Sequence, residues 1–343
     1  MLKKIILLIV FGALAFAGYW AYVNVFKSNV HLDGKKFTYI YIKTGAKMDD
    51  LLDELYSQNI IDDHESFEWT AKEMGLQENI IPGKYRIGVD MSNRSIVKML
   101  KSGKQEKVKL FLNSQIRTKE EFITYISGKL EIENDELEEF CSNENELQER
   151  FGLDPDNFMT LIVPATYEVN WTTHLDEVFK LLKESYDKVW TKEKIAKAKA
   201  MGYTIPEIVS LAAIVQSESG IKTEQQKIAG VYINRLKKDM KLQADPTIVF
   251  ANGNFEAQRV LNADKEIDSP YNTYRYKGLP PGPICLVNPS SIDAVLTYTK
   301  HDFLYFCAKS DFSGYSCYTK DYNTHMKNAS DYQAALNKKG IKR

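Results

Sequence analysis

Residues 204–220 read TIPEIVSLAAIVQSESG, and they decide how the second half of the chain folds. Thr204 and Glu207 form a capping box, with a proline in the first turn, where its missing N–H costs nothing. Small or apolar side chains then recur at helical spacing, at Ile208, Leu211, Ala212 and Val215. The stretch therefore predicts a core-facing helix that ends near Gly220, a C-terminal cap position that favours glycine.

Glu218 lies at the border of this apolar face, in the last turn of the predicted helix. A carboxylate near a helix C-terminus meets an unfavourable dipole, and partial burial also disfavours its charged form. Both effects raise a pKa, as a general acid that works near neutral pH requires. Spacing alone is more typical of a solvated or ion-paired glutamate, so Glu218 is a candidate that needs support from the rest of the chain.

The segments that follow combine prolines with amides, hydroxyls and aromatic rings. Thr223 and Gln226 suggest a second capping box, and KLQADPT follows at 241–247 and SPYNTYRYKGLPPGPI at 269–284. Sugar hydroxyls and acetamido groups need such donors and acceptors, and sugar rings need aromatic faces. An ordered turn region that closes the fold has the same composition, so both interpretations stay open.

The N-terminus predicts a membrane anchor. Lys3 and Lys4 precede an uncharged apolar run at 5–26, which spans roughly 33 Å as a helix, enough to cross a bilayer core. The lysines place the N-terminus in the cytoplasm and everything after the run outside. A cleaved signal peptide is the alternative, because residues 15–17 read Ala-Phe-Ala, but the apolar run continues well past that site.

Composition excludes several function classes. The chain has 343 residues, 44% of them apolar, with 45 Lys+Arg against 46 Asp+Glu. A net charge of −1 argues against nucleic acid as a partner, because phosphate contacts need a basic excess. The sequence has no glycine-rich phosphate loop, no histidine cluster and no Cys/His metal spacing, so we expect neither a cofactor nor a metal.

Two of the four cysteines flank a predicted turn. Cys307 and Cys317 lie at equal distances from Phe312, so a hairpin centred there would place them opposite each other. A disulfide and two packed thiols are equally compatible with this spacing.

The expected architecture is α+β. The predicted strands FTYIYI (Phe37–Ile42) and VKLFL (Val108–Leu112) each precede a helical pattern, which suggests a faint repeat. We predict a cytoplasmic stub at 1–4, a transmembrane helix at 5–26, a linker at 27–36, a small βα domain at 37–115, a helical connecting segment at 116–200 and a mixed α/β catalytic domain at 201–343.

The motifs LAAIVQSESG (211–220), KIAGVYINRL (227–236), KLQADPT and SPYNTYRYKGLPPGPI, in this order, resemble the endolytic murein transglycosylase (YceG-like) family. PATY at 164–167 also resembles a segment of that family, and the resemblance extends from the anchor almost to the C-terminus. It implies a single-pass protein of the cell (inner) membrane, with a LysM-like region at 37–115 before the catalytic domain.

The resemblance further implies a lyase that cleaves the MurNAc–GlcNAc bond of peptidoglycan and leaves 1,6-anhydroMurNAc ends, terminating or trimming nascent strands near the membrane. Glu218 matches the catalytic glutamate of the family. Peptidoglycan synthases are candidate partners. The positions that match the family's groove, each of which could instead support a loop, are Asn234, Gln243, Asp245, Thr247, Tyr271, Asn272, Thr273 and Tyr274.

Two departures and two rival functions remain. The acidic residue usual shortly before the PATY-like segment is absent from 160–163, and residues 314–317 depart from a Gly-x-His-x-Phe-like stretch, although His325 matches a later histidine. A muramidase could use Glu218 with Asp245 and water, and would leave reducing ends instead. A non-catalytic glycan-binding anchor is the third hypothesis.

Overall fold

The computed structural model describes residues 2–256 and 260–339. Met1 of the predicted stub, residues 257–259 and the last four residues of the predicted catalytic domain lie outside the described residues. The chain divides into two compact units. The first holds the residues up to Lys109 together with Lys129–Ile132 and Glu168–His174, and the second holds the rest of the described chain.

The first unit combines the N-terminal apolar helix with a small layered fold. Its elements are α1 (Leu2–Phe26), β1 (Phe37–Ile42), α2 (Met48–Ser57), α3 (His64–Glu73), β2 (Gly83–Gly88) and α4 (Asn93–Ser102). β1 and β2 pair antiparallel with Ile40 opposite Tyr85, and both of these side chains are fully buried. Apolar positions of the three short helices cover them, as alternating strands and amphipathic helices require.

α1 has the length and composition of a membrane span. Of the single helices in the described residues, it is the one long and apolar enough to cross a bilayer, and none of its apolar window is buried by protein. A signal sequence near an N-terminus would pass the same test.

The second unit is mostly helical. It contains β3 (Val108–Leu112, which begins in the first unit), α5 (Lys119–Ser127), α6 (Asn134–Ser142), α7 (Glu144–Phe151), β4 (Ala165–Val169, which ends in the first unit), α8 (Leu175–Val189), α9 (Lys192–Met201), α10 (Ile205–Glu218), α11 (Lys222–Lys237), α12 (Asp245–Asn252), α13 (Pro289–Leu296), β5 (Tyr305–Ala308), β6 (Ser316–Thr319) and α14 (Tyr322–Lys338). β3 pairs with β4, and β5 pairs with β6. The mixed helix-and-strand fold agrees with the predicted class, whereas the LysM-like label of the first unit stays a prediction.

One of the two predicted capping boxes is formed. Thr204 and Glu207 cap α10 as expected, and Thr118 and Glu121 form a further box at the start of α5. The box predicted at Thr223 is wrong, because α11 begins two residues earlier than that box requires, with Ile221 at the cap position and no side-chain cap. The side chain of Glu224 accepts hydrogen bonds from β6 instead, so tertiary contacts take the place of the cap.

The end of α10 also differs from the prediction. Ser219 is the cap residue and is extended, at φ −155°, and Gly220 is not among the glycines with positive φ. A left-handed glycine cap is therefore not what ends this helix.

Candidate functional site

The central helix of the second unit, α10, places Glu218 at its last position. Every residue from 208 to 215 is buried, so the helix is a core element rather than a surface one. Ser210 donates hydrogen bonds to the carbonyl oxygens of Pro280 (3.3 Å) and Gly282 (3.1 Å). These bonds fix the first half of the helix against the proline-rich loop.

A second attachment lies two residues before the candidate acid, at Gln216. The amide of Gln216 donates to the Leu286 carbonyl (3.0 Å), and its oxygen accepts from the Asn288 backbone (2.8 Å). Glu218 itself is partly buried. The structure thus holds one carboxyl group at a core boundary, where it can be desolvated and still be reached.

The environment of Glu218 raises its pKa from the usual 4.5 to about 7, chiefly through burial. The hydrogen bond from Tyr232 opposes this shift, the negative charge of Asp245 adds to it, and the positive charge of Arg235 opposes it. A carboxyl group with a pKa near 7 exists in both protonation states at neutral pH. It can therefore give a proton and then take one back.

Tyr232 is the partner of Glu218 that sequence reasoning missed. Its hydroxyl donates to Oε1 of Glu218 at 2.8 Å, and its side chain is 1% exposed. Burial raises the pKa of Tyr232 well above its usual value, so the hydroxyl stays protonated as a donor. In the sequence this tyrosine is one position of the KIAGVYINRL motif, and nothing in its spacing indicates a polar role.

Arg235 lies one turn further along α11 and is also buried. Its Nε donates to the Leu304 carbonyl (2.7 Å), and a terminal nitrogen donates to the Leu242 carbonyl (2.7 Å). The guanidinium therefore joins two chain segments beside the site and supplies a positive charge that lowers the pKa of Glu218.

Some of the predicted groove residues are accessible. Gln243 and Asp245 are exposed, and Tyr274 is partly exposed. The Tyr274 hydroxyl donates to Oδ1 of Asp245 at 2.6 Å. Gln243 has a φ of +51°, a conformation that few non-glycine residues adopt. Tyr271 is partly exposed as well, and its ring packs on Phe250 at 4.5 Å between centroids.

Two predicted groove threonines are buried in a shared network. The hydroxyls of Thr247 and Thr273 are 2.8 Å apart, and Thr247 donates to the Ala244 carbonyl at 2.7 Å. The Thr273 hydroxyl also accepts from the Ala244 backbone at 3.0 Å. This network fixes the start of α12, and with it the position of Asp245.

The two predicted asparagines hold loops. The amide of Asn272, which is fully buried, donates to the carbonyls of Lys265 (2.9 Å) and Ile267 (2.8 Å). The amide of Asn234 donates to the carbonyls of His301 (2.7 Å) and Phe303 (3.0 Å). The side-chain amides of both residues therefore donate hydrogen bonds to backbone carbonyls. Direct contact between substrate and any of the predicted groove residues stays a prediction.

The cysteine pair has the predicted register. Cys307 lies directly opposite Cys317 in the β5–β6 hairpin, whose turn contains Phe312 at a φ of +58°. Both are free thiols. Within the described residues, no group of His, Cys, Asp and Glu side chains is arranged to hold a metal ion.

Comparison with known proteins decides the family. The pattern of the YceG-like family matches residues 40–331. The chain belongs to the YceG-like family. The match covers most of both units and includes every residue of the candidate site.

Curated relatives carry a functional name. The chain is 31% identical to an endolytic murein transglycosylase of Bacillus subtilis, over 95% of this chain and 93% of that protein. It is 28% identical to an endolytic murein transglycosylase of Streptococcus pneumoniae, over 95% of this chain but 64% of that longer protein. The fold resembles that of a YceG-like protein from Listeria monocytogenes, with a TM-score of 0.59 and 24% identity over 86% of this chain and 99% of that one.

Proposed function

We propose that this family member is an endolytic murein transglycosylase, a lyase that cleaves the MurNAc–GlcNAc bond within peptidoglycan strands. Relatives with this name align over 95% of the chain. The observation that carries the proposal is the environment of Glu218, a single carboxyl group whose pKa is raised to about 7 by burial. One such group can serve both halves of the reaction.

In the first step the protonated carboxyl of Glu218 gives its proton to the glycosidic oxygen, and the bond from that oxygen to the anomeric carbon breaks. In the second step the Glu218 carboxylate takes the proton of the muramyl C6 hydroxyl, whose oxygen attacks the anomeric carbon. The products are a free GlcNAc hydroxyl and a 1,6-anhydro ring, and Glu218 ends protonated as it began. The intramolecular hydroxyl replaces the second carboxylate and the water of a hydrolase.

The hydrogen bond from Tyr232 gives the two carboxyl oxygens of Glu218 different roles. The tyrosine hydroxyl occupies Oε1 at 2.8 Å, which leaves Oε2 to exchange the proton with substrate. The accessible residues Gln243, Asp245 and Tyr274 are the proposed sugar contacts, together with one edge of Tyr271. The partly buried Asn234 and the buried Thr247, Asn272 and Thr273 act by holding the loops that carry these contacts.

We further propose that α1 is a retained anchor in the cell membrane, with the N-terminus in the cytoplasm and both units outside. This placement would confine cutting to strands near the membrane, where peptidoglycan synthases release them. The length and apolar composition of α1 support it, because they are those of a membrane-spanning helix.

A hydrolase is the second candidate, because Asp245 lies close enough for its charge to raise the pKa of Glu218. In that mechanism Asp245 would activate a water molecule and the new ends would be reducing sugars. The hydrogen bond that Asp245 accepts from Tyr274 gives this carboxylate another role, as part of the loop structure.

The deciding experiment incubates the detergent-solubilised full chain with purified peptidoglycan and identifies the products by mass spectrometry. Internal fragments with 1,6-anhydro ends are expected from the parent chain and from the control variant Glu193→Gln. Glu193 is an exposed glutamate on α9 that pairs with Lys197. Glu218→Gln should release none. Products with reducing ends would contradict the lyase mechanism and favour the hydrolase. A folded parent chain that releases no products would contradict both enzymes and favour a glycan-binding protein.

A further inference from the structure

The last turns of α1 are part of the first unit rather than a tether to it. The side-chain amide of Asn93, which is fully buried, donates to the backbone carbonyl of Asn24 in α1 at 2.8 Å. Asn29 in turn donates to Oδ1 of Asn93 at 2.9 Å and to the Ser66 hydroxyl at 3.2 Å. A buried, mutually satisfied amide pair fixes geometry, because breaking it would strand polar groups away from water.

The stretch predicted as a linker continues this attachment. Ser28 forms a β-bridge with Ser92, and Val30 forms one with Ile61. Val30 and Leu32 are both buried. A flexible linker would leave such backbone groups in solvent. Residues 28–32 are therefore an ordered part of the first unit, and they connect α1 to it directly.

The first two turns of α3 lie against the last turns of α1. Ser66 lies beside Asn29, and the Thr70 hydroxyl donates to the Asn24 carbonyl at 3.4 Å. One turn earlier on α1, Trp20 meets Trp69 edge to face, with 5.0 Å between ring centroids. These contacts from the first two turns of α3 reach from Trp20 to Asn29, so α3 lies beside the end of the anchor and the segment that follows it.

This arrangement places aromatic rings and one arginine beside the last turns of α1. We call this group, Trp20, Phe26, Trp69 and Arg94, the collar. Trp20 is 45% exposed and Phe26 is 52% exposed, and Trp69 is partly exposed beside them. The guanidinium of Arg94, on α4, lies over the Phe26 ring at 5.2 Å. In water this collar would be a costly apolar patch. Tryptophan rings and arginines are the side chains that favour the boundary between acyl chains and phosphates.

We propose that the first unit docks on the phospholipid surface through this collar, with Trp69 in the headgroup layer and Arg94 at the level of the phosphates. The inference rests on the proposed anchoring by α1 and goes beyond it. Continuity with the anchor selects lipid as the occupant, since α3 and α4 flank the turns of α1 that leave the bilayer. The anchor therefore holds the unit in one orientation on the membrane.

The test uses full-length chain in vesicles of phosphatidylglycerol and phosphatidylethanolamine in equal parts. One variant keeps Trp69 as its single tryptophan, through Trp20→Phe, Trp171→Phe and Trp190→Phe. The matched control keeps Trp171 instead, which is in the same unit, partly exposed, and packed edge to face on Tyr41 at 5.2 Å. Lipids brominated near the headgroup should quench Trp69 at least about twofold more than Trp171.

Flotation with the vesicles separates the two proposals. A chain that floats, with Trp69 quenched no more than Trp171, would overturn the docking and leave the anchor standing. A chain that does not float would overturn both. Should a single-tryptophan variant fail to fold, a phospholipid with a photoreactive headgroup is applied to the unmutated chain. Cross-links on His64–Glu73 and none on the Trp171 peptide are then the expected result, and the reverse pattern would overturn the proposal.

Discussion

The hydroxyl of Tyr232 donates a 2.8 Å hydrogen bond to Oε1 of Glu218, joining the middle of α11 to the last turn of α10. The bond is made inside the second unit, where the tyrosine is 1% exposed. It stabilises the carboxylate form of Glu218 and opposes the effect of burial on its pKa. The Tyr232 phenol thus helps to set both the position and the acidity of the candidate acid.

Tyr232→Phe should lower the rate and shift the pH profile. Loss of a hydrogen bond to a charged group costs about 1.5–3 kcal/mol, so we expect a rate lower by roughly tenfold to a hundredfold. Because this bond lowers the pKa of Glu218, the variant's pKa should be higher. The acid then stays protonated to higher pH, and the falling limb of kcat moves upward. The measurement is the release of anhydro ends across a pH series.

Tyr186→Phe is the matched control for that change. Tyr186 is 8% exposed in α8, so it tests the general effect of removing a buried tyrosine hydroxyl. Its falling limb should coincide with that of the parent. A Tyr232→Phe profile that loses rate with no movement of the limb would assign Tyr232 a packing role alone.

Asp245→Asn should move the same limb the other way. The negative charge of Asp245 raises the pKa of Glu218, so its removal lowers that pKa and the falling limb moves to lower pH. The asparagine oxygen can still accept from Tyr274, which preserves the loop. Under the lyase mechanism the anhydro product persists. Complete loss of product from a folded Asp245→Asn chain would favour the hydrolase, in which this carboxylate activates water.

Sequence predicted the position of Glu218 on its helix but not its hydrogen-bond partner. Helical periodicity placed Glu218 at the edge of an apolar face, and both burial and helix position agree. The contact with Tyr232 could not be predicted, because it depends on how two successive helices pack across a turn. Periodicity also cannot specify how the loops after α11 pack, and this packing determines which of the predicted groove residues are exposed to solvent. Gln243 is exposed, whereas Thr247, four residues later, is fully buried.

At the start of α11, the tertiary contacts of Glu224 outweigh the capping box that the sequence predicts at Thr223. The Glu224 carboxylate is 1% exposed and accepts from the Ser316 backbone (2.7 Å) and the Tyr318 hydroxyl (2.8 Å). Three acceptor contacts, including one from Lys227 at 3.2 Å, outweigh a helix cap worth about 1 kcal/mol. The strand pair β5–β6 supplies two of those donors, and the helix starts two residues before the predicted position.

Glu224→Ala should therefore destabilise the second unit. It leaves donors on β6 without their acceptor and should lower the free energy of unfolding by about 2–4 kcal/mol. Urea titration monitored by circular dichroism gives the value. Glu193→Ala, which removes an exposed glutamate paired with Lys197 on α9, should leave the midpoint unchanged. Equal midpoints for both variants would mean that the buried carboxylate contributes nothing net.

Cys307 and Cys317 should form a disulfide under mild oxidation, because they are opposite each other on paired strands. With glutathione disulfide as oxidant, the two thiols lose two protons and two electrons, and the oxidant becomes two glutathione thiols. The intact mass should fall by two hydrogens, and one peptide should link the strands. Cys141 and Cys285, 0% and 5% exposed, should remain reduced. Stable mixed disulfides with glutathione at both positions would contradict the prediction.

Glu218→Gln should stabilise the fold at high pH while removing activity. The folded pKa of Glu218 is about 7 against a usual 4.5, so between these values the folded state binds more protons than the unfolded state. The free energy of unfolding of the parent therefore falls as pH rises through this window, and the deficit remains above it. Glutamine does not titrate and can still accept from Tyr232. Thermal unfolding should show equal stability at pH 4 and a gain of about 1–3 kcal/mol for the variant at pH 8. A variant less stable than the parent at both pH values would mean that the charged carboxylate is not under strain, and the argument for Glu218 as a poised acid would lose its energetic basis.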